Sequence, residues 1–453
     1  MLVSLTRVGP ARQSLTKGVA VTGPDTATLL RSVRLPGPPP SLPAAELRTD
    51  ERADGRADGL FGVALPGVWL GTPGAREVAY GYLGAVLSAL ADTARALGGA
   101  LHAPGVRLAP AGPLPALGGD LHGLAVLDDA EQEVLCNLLR RHSPTLIALT
   151  GRARIGGPAD PVGSRRLADS REHLAARYLA SADPRHLHHV RAELRRRHGI
   201  ADLLRMDVAP LPAASGAPAE ALVRCVDAQV SLADLRAQAL LFAALALKAR
   251  RTVRAGERER NIPQSVIEAN RARAVVHGLR ARFAPESTDF GRAQRTRPAR
   301  DVARRLLTDL VPEFGLLDAT AEELLPLLAP VELPSFGLPG LRTGDLLLRT
   351  AREGRGSGPL AQHAEQLLRD PRPGGELAAR LAQDSPGVLE LLLSDWRRTL
   401  AEGVAPAPRA REQSGRPRSP SQPGGRRPQG QRRQGQGQVR RPQNPNPRRK
   451  DGS

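Results

Sequence analysis

Arg224 and Asp227 stand three residues apart in the apolar run ALVRCVDAQVSL, residues 221–232. Either charge is costly to bury without a partner, so a strand-like segment carrying both needs a polar hollow or an ionic network around it. Alternation along a strand sends Leu222, Arg224 and Val226 to one face and Val223, Cys225 and Asp227 to the other. Asp227, at the strand end, also suits the turn into the next element. His122 lies in a second strand-like stretch, DLHGLAVLDD (120–129), where a histidine satisfied by its neighbours competes with a site role. Arg165 and Arg166 close the Gly/Pro loop GRARIGGPADPVGS (151–164). His186, His188 and His189, with His198, invite a metal reading, but they lack the i, i+4 pair that sets two imidazoles on one helix face, and a solvated basic helix is expected.

Other chemistries lack their motifs. Neither GxxxxGK[ST] nor GxSxG occurs, which argues against P-loop ATPases and the commonest serine hydrolases. GRGSG at 354–358 does not follow a strand and open a helix, so it reads as a loop. Cys136 and Cys225 sit among apolar residues, as small buried thiols do, and no disulfide framework is expected.

The 453 residues are enough for two or three domains, or for one large α/β core with an appended part. Hydrophobic residues make up 41% and aromatic residues only 2%, so packing must rest on Leu, Val and Ala. Of 65 basic residues only Lys17, Lys248 and Lys450 are lysines, which weakens the information in any single arginine. The +19 charge is uneven: residues 405–453 hold thirteen basic residues against Glu412 and Asp451, leaving +8 for residues 1–404. That tail has Val439 as its only large apolar residue and is expected to be disordered. It has no aromatic side chain for base stacking, so any nucleic-acid binding would be nonspecific and salt-sensitive; a solubilising tail is the competing reading. The start, MLVSLTRVGPARQ, lacks the apolar core of a signal peptide, and AQALLFAALAL (237–247) is too short to span a bilayer, so a cytoplasmic protein without membrane contact is expected.

The elements that must position the polar residues follow from periodicity and caps. Residues 1–59, with PGPPP and ERADGRADG, read as irregular with one strand candidate, GVAVTG. A helix is expected over 75–97, stopped by Gly98 and Gly99. Asp128 with Glu131 caps a helix carrying Val134, Leu135, Leu138 and Leu139 on one face, and Pro144 restarts the pattern in SPTLIALTG. Two helices are expected at about 167–181 and 184–198, the second opened by Asp183-Pro184. Ser231-x-x-Asp234 caps a long Ala/Leu helix running to about Arg251, and residues 297–403 read as helical throughout, with Thr320-x-x-Glu323 as a further cap.

In this order, the strand with His122, the helix, TLIALTGRA, the Gly-rich loop ending in arginines and the strand ALVRCVDA resemble the carboxylate-amine ligase family that includes the bacterial-type glutamate–cysteine ligases. The likeness covers roughly residues 60–285 and rests on order and short motifs of the types GxHVHV, LLALSANSP, GRDTGYASYR and VEVRVCDA. It implies a glutamine-synthetase-like fold, a curved antiparallel-rich α/β sheet with outer helices. It also implies ATP-dependent joining of an amino-acid carboxylate to an amine, with Mg²⁺ or Mn²⁺. By the same resemblance Arg224 and Arg166 would grip the acidic substrate or phosphates, Arg165 and Ser164 would face the cofactor with Asp160 nearby, and His122 would stand at the metal.

Several positions that carry the family's ligands hold other residues here. The two glutamates of the GVELEF strand fall on Ala20 and Thr22, or on Ala64 and Pro66; the second histidine of HVHV falls on Leu124; the glutamate of VEVRV falls on Leu222. Two readings follow: an active ligase of this type, or a non-catalytic protein of the same fold that binds an amino-acid-like molecule or, through the basic tail, nucleic acid or an acidic protein. The expected layout is residues 1–59 irregular, 60–290 the catalytic-type domain, 291–404 helical and 405–453 the tail. The sequence leaves the oligomeric state open.

Overall fold

The computed structural model describes residues 12–22, 24, 26–49, 60–102, 119–151, 163–169, 173–213, 218–286, 295–333 and 365–404. Asp160, the side chain of Arg165, GRGSG at 354–358 and the tail after 404 lie outside the described residues.

A seven-stranded antiparallel sheet carries the polar residues. Its strands are β1 (Gln13–Thr22), β2 (Glu46–Thr49), β3 (Leu60–Val68), β4 (Ala100–His102), β5 (Leu121–Ala125), β6 (Val208–Leu211) and β7 (Glu220–Val223), in the order β2-β3-β1-β5-β7-β6, with β4 beside the end of β1. The protein is thus α/β with an antiparallel sheet, as expected. The N-terminal segment, expected to be mostly irregular, supplies the central strand. β1 alternates Gln13, Leu15, Lys17, Val19 and Val21 on one face with Ser14, Thr16, Gly18 and Ala20 on the other.

The first face packs against helices. Leu15, Val19, Phe61, Val63 and Leu65 form one core cluster with Leu29 of α1 (Thr26–Ser32), with α2 (Pro73–Ala96) and with Leu232, Leu235 and Ala239 of α6 (Leu232–Arg254). Leu124, Ala221, Val223 and Val208 join a second cluster with the rest of α6 and with α3 (Asp129–Thr150). The Ala/Leu composition of α6 lets one helix serve both clusters, which suits a chain so poor in aromatic side chains. The same second cluster takes in helices α8 (Ala299–Asp309), α9 (Val311–Leu316) and α10 (Ala321–Glu332), and the helix Pro386–Val404. The described residues up to Val404 make one compact unit.

Capping residues set the helix starts. Thr72, Asp128, Asp183 and Ser231 each accept from backbone N–H groups of the first turn, and Thr320 with Glu323 forms a reciprocal capping box before α10. Two expectations are corrected. The stretch 129–150 is one helix, not two, although it contains Pro144. Pro144 has no N–H to give the Arg140 carbonyl, and the Ser143 hydroxyl donates to that oxygen instead at 2.9 Å.

The stretch expected as one helix over 167–181 is not one. A short helix, α4, spans Arg165–Asp169, and residues 173–181 carry no helix, only a parallel bridge of Leu174 with Met206. Asn137 on α3 grips both backbone groups of Leu179, donating to its carbonyl at 2.7 Å and accepting from its N–H at 2.8 Å. Arg140 donates to Ala176 O at 3.2 Å. These tertiary hydrogen bonds satisfy backbone groups of the segment without a helix and override its helical periodicity. The segment ends at α5 (Pro184–His198).

Candidate functional site

The two faces of the sheet decide what the predicted residues can do. In an antiparallel pair, residues opposite one another share a face. His122 is opposite Leu15 and Val223, so it belongs to the helix-covered face, as does Leu124, opposite Gln13 and Ala221. His122 is fully buried; its Nε2 lies 3.2 Å from Gln238 Oε1 on α6 and its ring 4.7 Å from that of Phe242. Burial, assisted by the nearby Lys17 ammonium, pushes its pKa down to about 4. A neutral core imidazole hydrogen-bonded to a helix amide is the arrangement present, set on the opposite face from the positions of the missing glutamates.

Of those positions Ala20, Ala64 and Leu222 lie on the second face, which also holds Ser14, Thr16, Gly18, Gly62, Leu121, Gly123 and Glu220. Its acidic side chains among the described strand residues are Glu46, paired at the sheet edge with Arg48 at 2.7 Å, and Glu220. Glu220 accepts from Ser14 Oγ at 2.9 Å, and its carboxylate reaches there by crossing over Gly123. A Cβ on Gly123 would fall 2.4 Å from Glu220 Oε2, so the glycine is what the crossing requires. Among the described residues no three His, Cys, Asp or Glu side chains gather as metal ligands. Two divalent cations need several converging oxygens, and the residues present on this face do not fit them.

The remaining predicted residues do come together, at the end of the sheet beyond β7. Asp227 accepts from Ser164 Oγ at 2.7 Å and from Arg166 Nε at 3.1 Å, and all three are buried. Arg166 also donates from Nη2 to the carbonyls of Arg224 at 3.1 Å and Val226 at 2.9 Å. Arg224 is half-buried, takes the Asp207 carbonyl with its own N–H at 2.9 Å and directs Nη1 to the Leu204 carbonyl. The Asp227 charge is therefore tied to the loop arginine, which also takes the main-chain carbonyl of Arg224, and that network accounts for the aspartate beside an apolar run, while the Arg224 guanidinium meets the Leu204 carbonyl.

The network extends inward through residues that motif reasoning passes over. Gln229 donates to Asp227 O at 2.6 Å, and its backbone N–H reaches Asp120 Oδ2 at 2.8 Å. Asp120 Oδ1 receives Lys17 Nζ at 2.8 Å and the Gly18 N–H at 3.0 Å. Lys17 and Asp120 are both wholly buried, and burial is the main influence raising the aspartate's pKa, against the lowering effect of Lys17. The one available signal was composition: Lys17 is one of three lysines in a chain that otherwise uses arginine. The cysteines are buried free thiols, that of Cys136 pushed up by burial to about 12.

No family model and no curated protein matches this chain. Among the solved structures that this chain resembles are the following two. The ligase in the complex between the prokaryotic ubiquitin-like protein Pup and its ligase PafA covers 88% of this chain and 80% of its own, at 12% identity and a TM-score of 0.44. A novel glutamine synthase homologue covers 76% and 71%, at 17% identity and a TM-score of 0.32. Neither likeness carries a residue's role across. No helix among the described residues is long and apolar enough to cross a membrane.

Proposed function

We propose that this protein is a ligase-like protein that binds without catalysing metal-dependent phosphoryl transfer. The observation that supports this most directly is the second face of the sheet. Where the resembling family places metal-holding glutamates, this chain has Ala20 and Thr22 or Ala64 and Pro66, with Leu222 on β7, and Glu220 is engaged with Ser14. Ser164, Arg166 and Asp227 persist together, but they bond chiefly to one another and to backbone carbonyls, the arrangement of a structural network. In this reading ATP with Mg²⁺ or Mn²⁺ is not required. The partners are an amino-acid-like small molecule at the body and a polyanion, nucleic acid or acidic protein, at the cationic tail.

Calorimetry of the full chain with Mg·ATP tests it. No binding heat is expected, and no ATP hydrolysis with any amino acid added. Mg·ATP binding together with amino-acid-dependent hydrolysis that is lost in Arg224→Ala would replace this reading with that of an active carboxylate-amine ligase.

A further inference from the structure

The helix α5 holds five arginines and four histidines against a single acid, Glu193, and none of the chemistry above uses them. Leu187, Val190 and Leu194 bury one side of it in the large core cluster, which leaves the rest of its circumference outward. Arg185, His189, Ala192 and Arg196 follow at i, i+4, i+7 and i+11 along that outward side, with Arg191 and Arg195 in the row beside them, and all six are exposed. Ordinary helix electrostatics cover only part of this. Glu193 pairs with Arg197 at 3.0 Å, but among the described residues Arg185, Arg191, Arg195 and Arg196 make no ion pair. Cations in the last turn favour the helix dipole, which serves Arg195 and Arg196. Arg185 stands in the first turn, where the dipole disfavours a cation and the turn itself holds no acid. Arg191 and Arg195, four residues apart, repel one another.

The character of the row selects a partner. It spans about 16 Å, a length of duplex that bears roughly ten phosphate charges. It offers no Phe, Tyr or Trp on which unpaired bases could stack, and no large apolar side chain for the dry centre of a protein interface. Ala192 at its middle lets a polyanion come close to the helix between the flanking guanidinium groups. We infer that α5 lies against the phosphate backbone of double-stranded nucleic acid, in a contact indifferent to base sequence. The inference rests on the polyanion reading above and deepens it. The tail supplies most of the affinity, and α5, whose four arginines alone hold little, fixes the duplex on the body.

The test is fluorescence anisotropy of the full chain with a DNA duplex of about 20 base pairs, between about 0.05 and 0.2 M salt. The variant carries Arg185→Gln, Arg191→Gln, Arg195→Gln and Arg196→Gln together, since glutamine removes the charge and keeps helix propensity. Its affinity is expected to fall about tenfold or more at 0.1 M salt, and its logarithmic salt slope to drop by about 2 to 4, at about 0.9 per lost phosphate contact. A control removes as much charge at four exposed arginines elsewhere: Arg31, Arg34, Arg280 just past the helix α7 (Gln264–His277), and Arg297. Both quantities should change much less there. Equal losses in the two variants, or unchanged affinity and slope in a folded α5 variant, overturn the inference. So does a larger loss for poly-glutamate than for the duplex, which would give the face to an acidic protein. Should the fourfold variant not fold, Arg185→Gln with Arg196→Gln decides, by about half the change in slope. Binding that needs the tail but not α5 sinks this inference alone; binding that needs α5 but not the tail upholds it and removes the tail's part; no duplex binding by the full chain sinks both.

Discussion

Lys17 and Asp120 form an ion pair in which neither side chain touches solvent, between the central strand and the start of β5. Such a pair adds little over a well-packed apolar substitute, but removing one partner strands the other charge in the core. Lys17→Met is therefore expected to lower unfolding free energy by about 3–5 kcal/mol. Adding Asp120→Asn should recover part of that loss, since the amide keeps an acceptor for the Gly18 and Gln229 N–H groups without a charge. Urea titrations of the three proteins measure both effects; equal stability of Lys17→Met and wild type would show that the pair is not buried. His122 allows a pH prediction. Its pKa falls from an ordinary 6.5 to about 4 on folding, so between these values the unfolded chain binds the extra proton and stability drops as pH falls. The slope due to this residue approaches about 1.4 kcal/mol per pH unit. His122→Phe should lack this share, so the stability gap between wild type and variant narrows from pH 7 to pH 4. A gap independent of pH would mean that the imidazole titrates normally.

At the scale of elements, one carboxylate joins three helices. Glu323 of α10 binds Arg76 of α2 at 2.7 and 2.8 Å and Arg236 of α6 at 2.6 and 2.8 Å, all with buried side chains, and its carboxylate also accepts from the Thr320 N–H. Burial opposes its charge, yet the two guanidinium groups prevail and hold its pKa below the usual range. Glu323→Ala is expected to cost about 3–5 kcal/mol, because buried Arg76 loses its carboxylate partner while Arg236 keeps only the exposed Glu77, at 3.0 Å. Hydrogen exchange should show α10 losing protection before the sheet does; uniform loss across both would indicate that the triad is not what joins them. The sequence made the cap of α10 legible through Thr320-x-x-Glu323, but not this second use of Glu323, whose partners are 247 and 87 residues away. The same holds elsewhere. Helix starts and the strand at 221–223 were readable because caps and alternation are local. The non-helical course of 173–181 was not, because Asn137 and Arg140 impose it from a distant helix. The faces of β5 were unreadable too: only its register with β1 shows that His122 points into the helices.

For the whole molecule, charge and core separate along the chain. The last buried apolar residue of the large core cluster is Leu400, on the helix that ends at Val404, and thirteen of the 65 basic residues follow it. Removing residues 405–453 therefore deletes no described member of that core while taking away +11 of the +19 charge. If the tail is the polyanion-binding part, affinity for single- or double-stranded nucleic acid, or for an acidic peptide, should fall with salt in the full chain. The logarithmic slope there would be set by the number of phosphates neutralised, about 0.9 per contact on duplex DNA. The chain ending at Val404 should melt at the same temperature and show little binding at any salt concentration. The body does carry exposed arginines of its own, among them Arg195, Arg196 and Arg197 at the end of α5. Binding that survives truncation with an unchanged salt slope would place the polyanion contact on that helix or elsewhere on the body, and would leave the tail without a part in it.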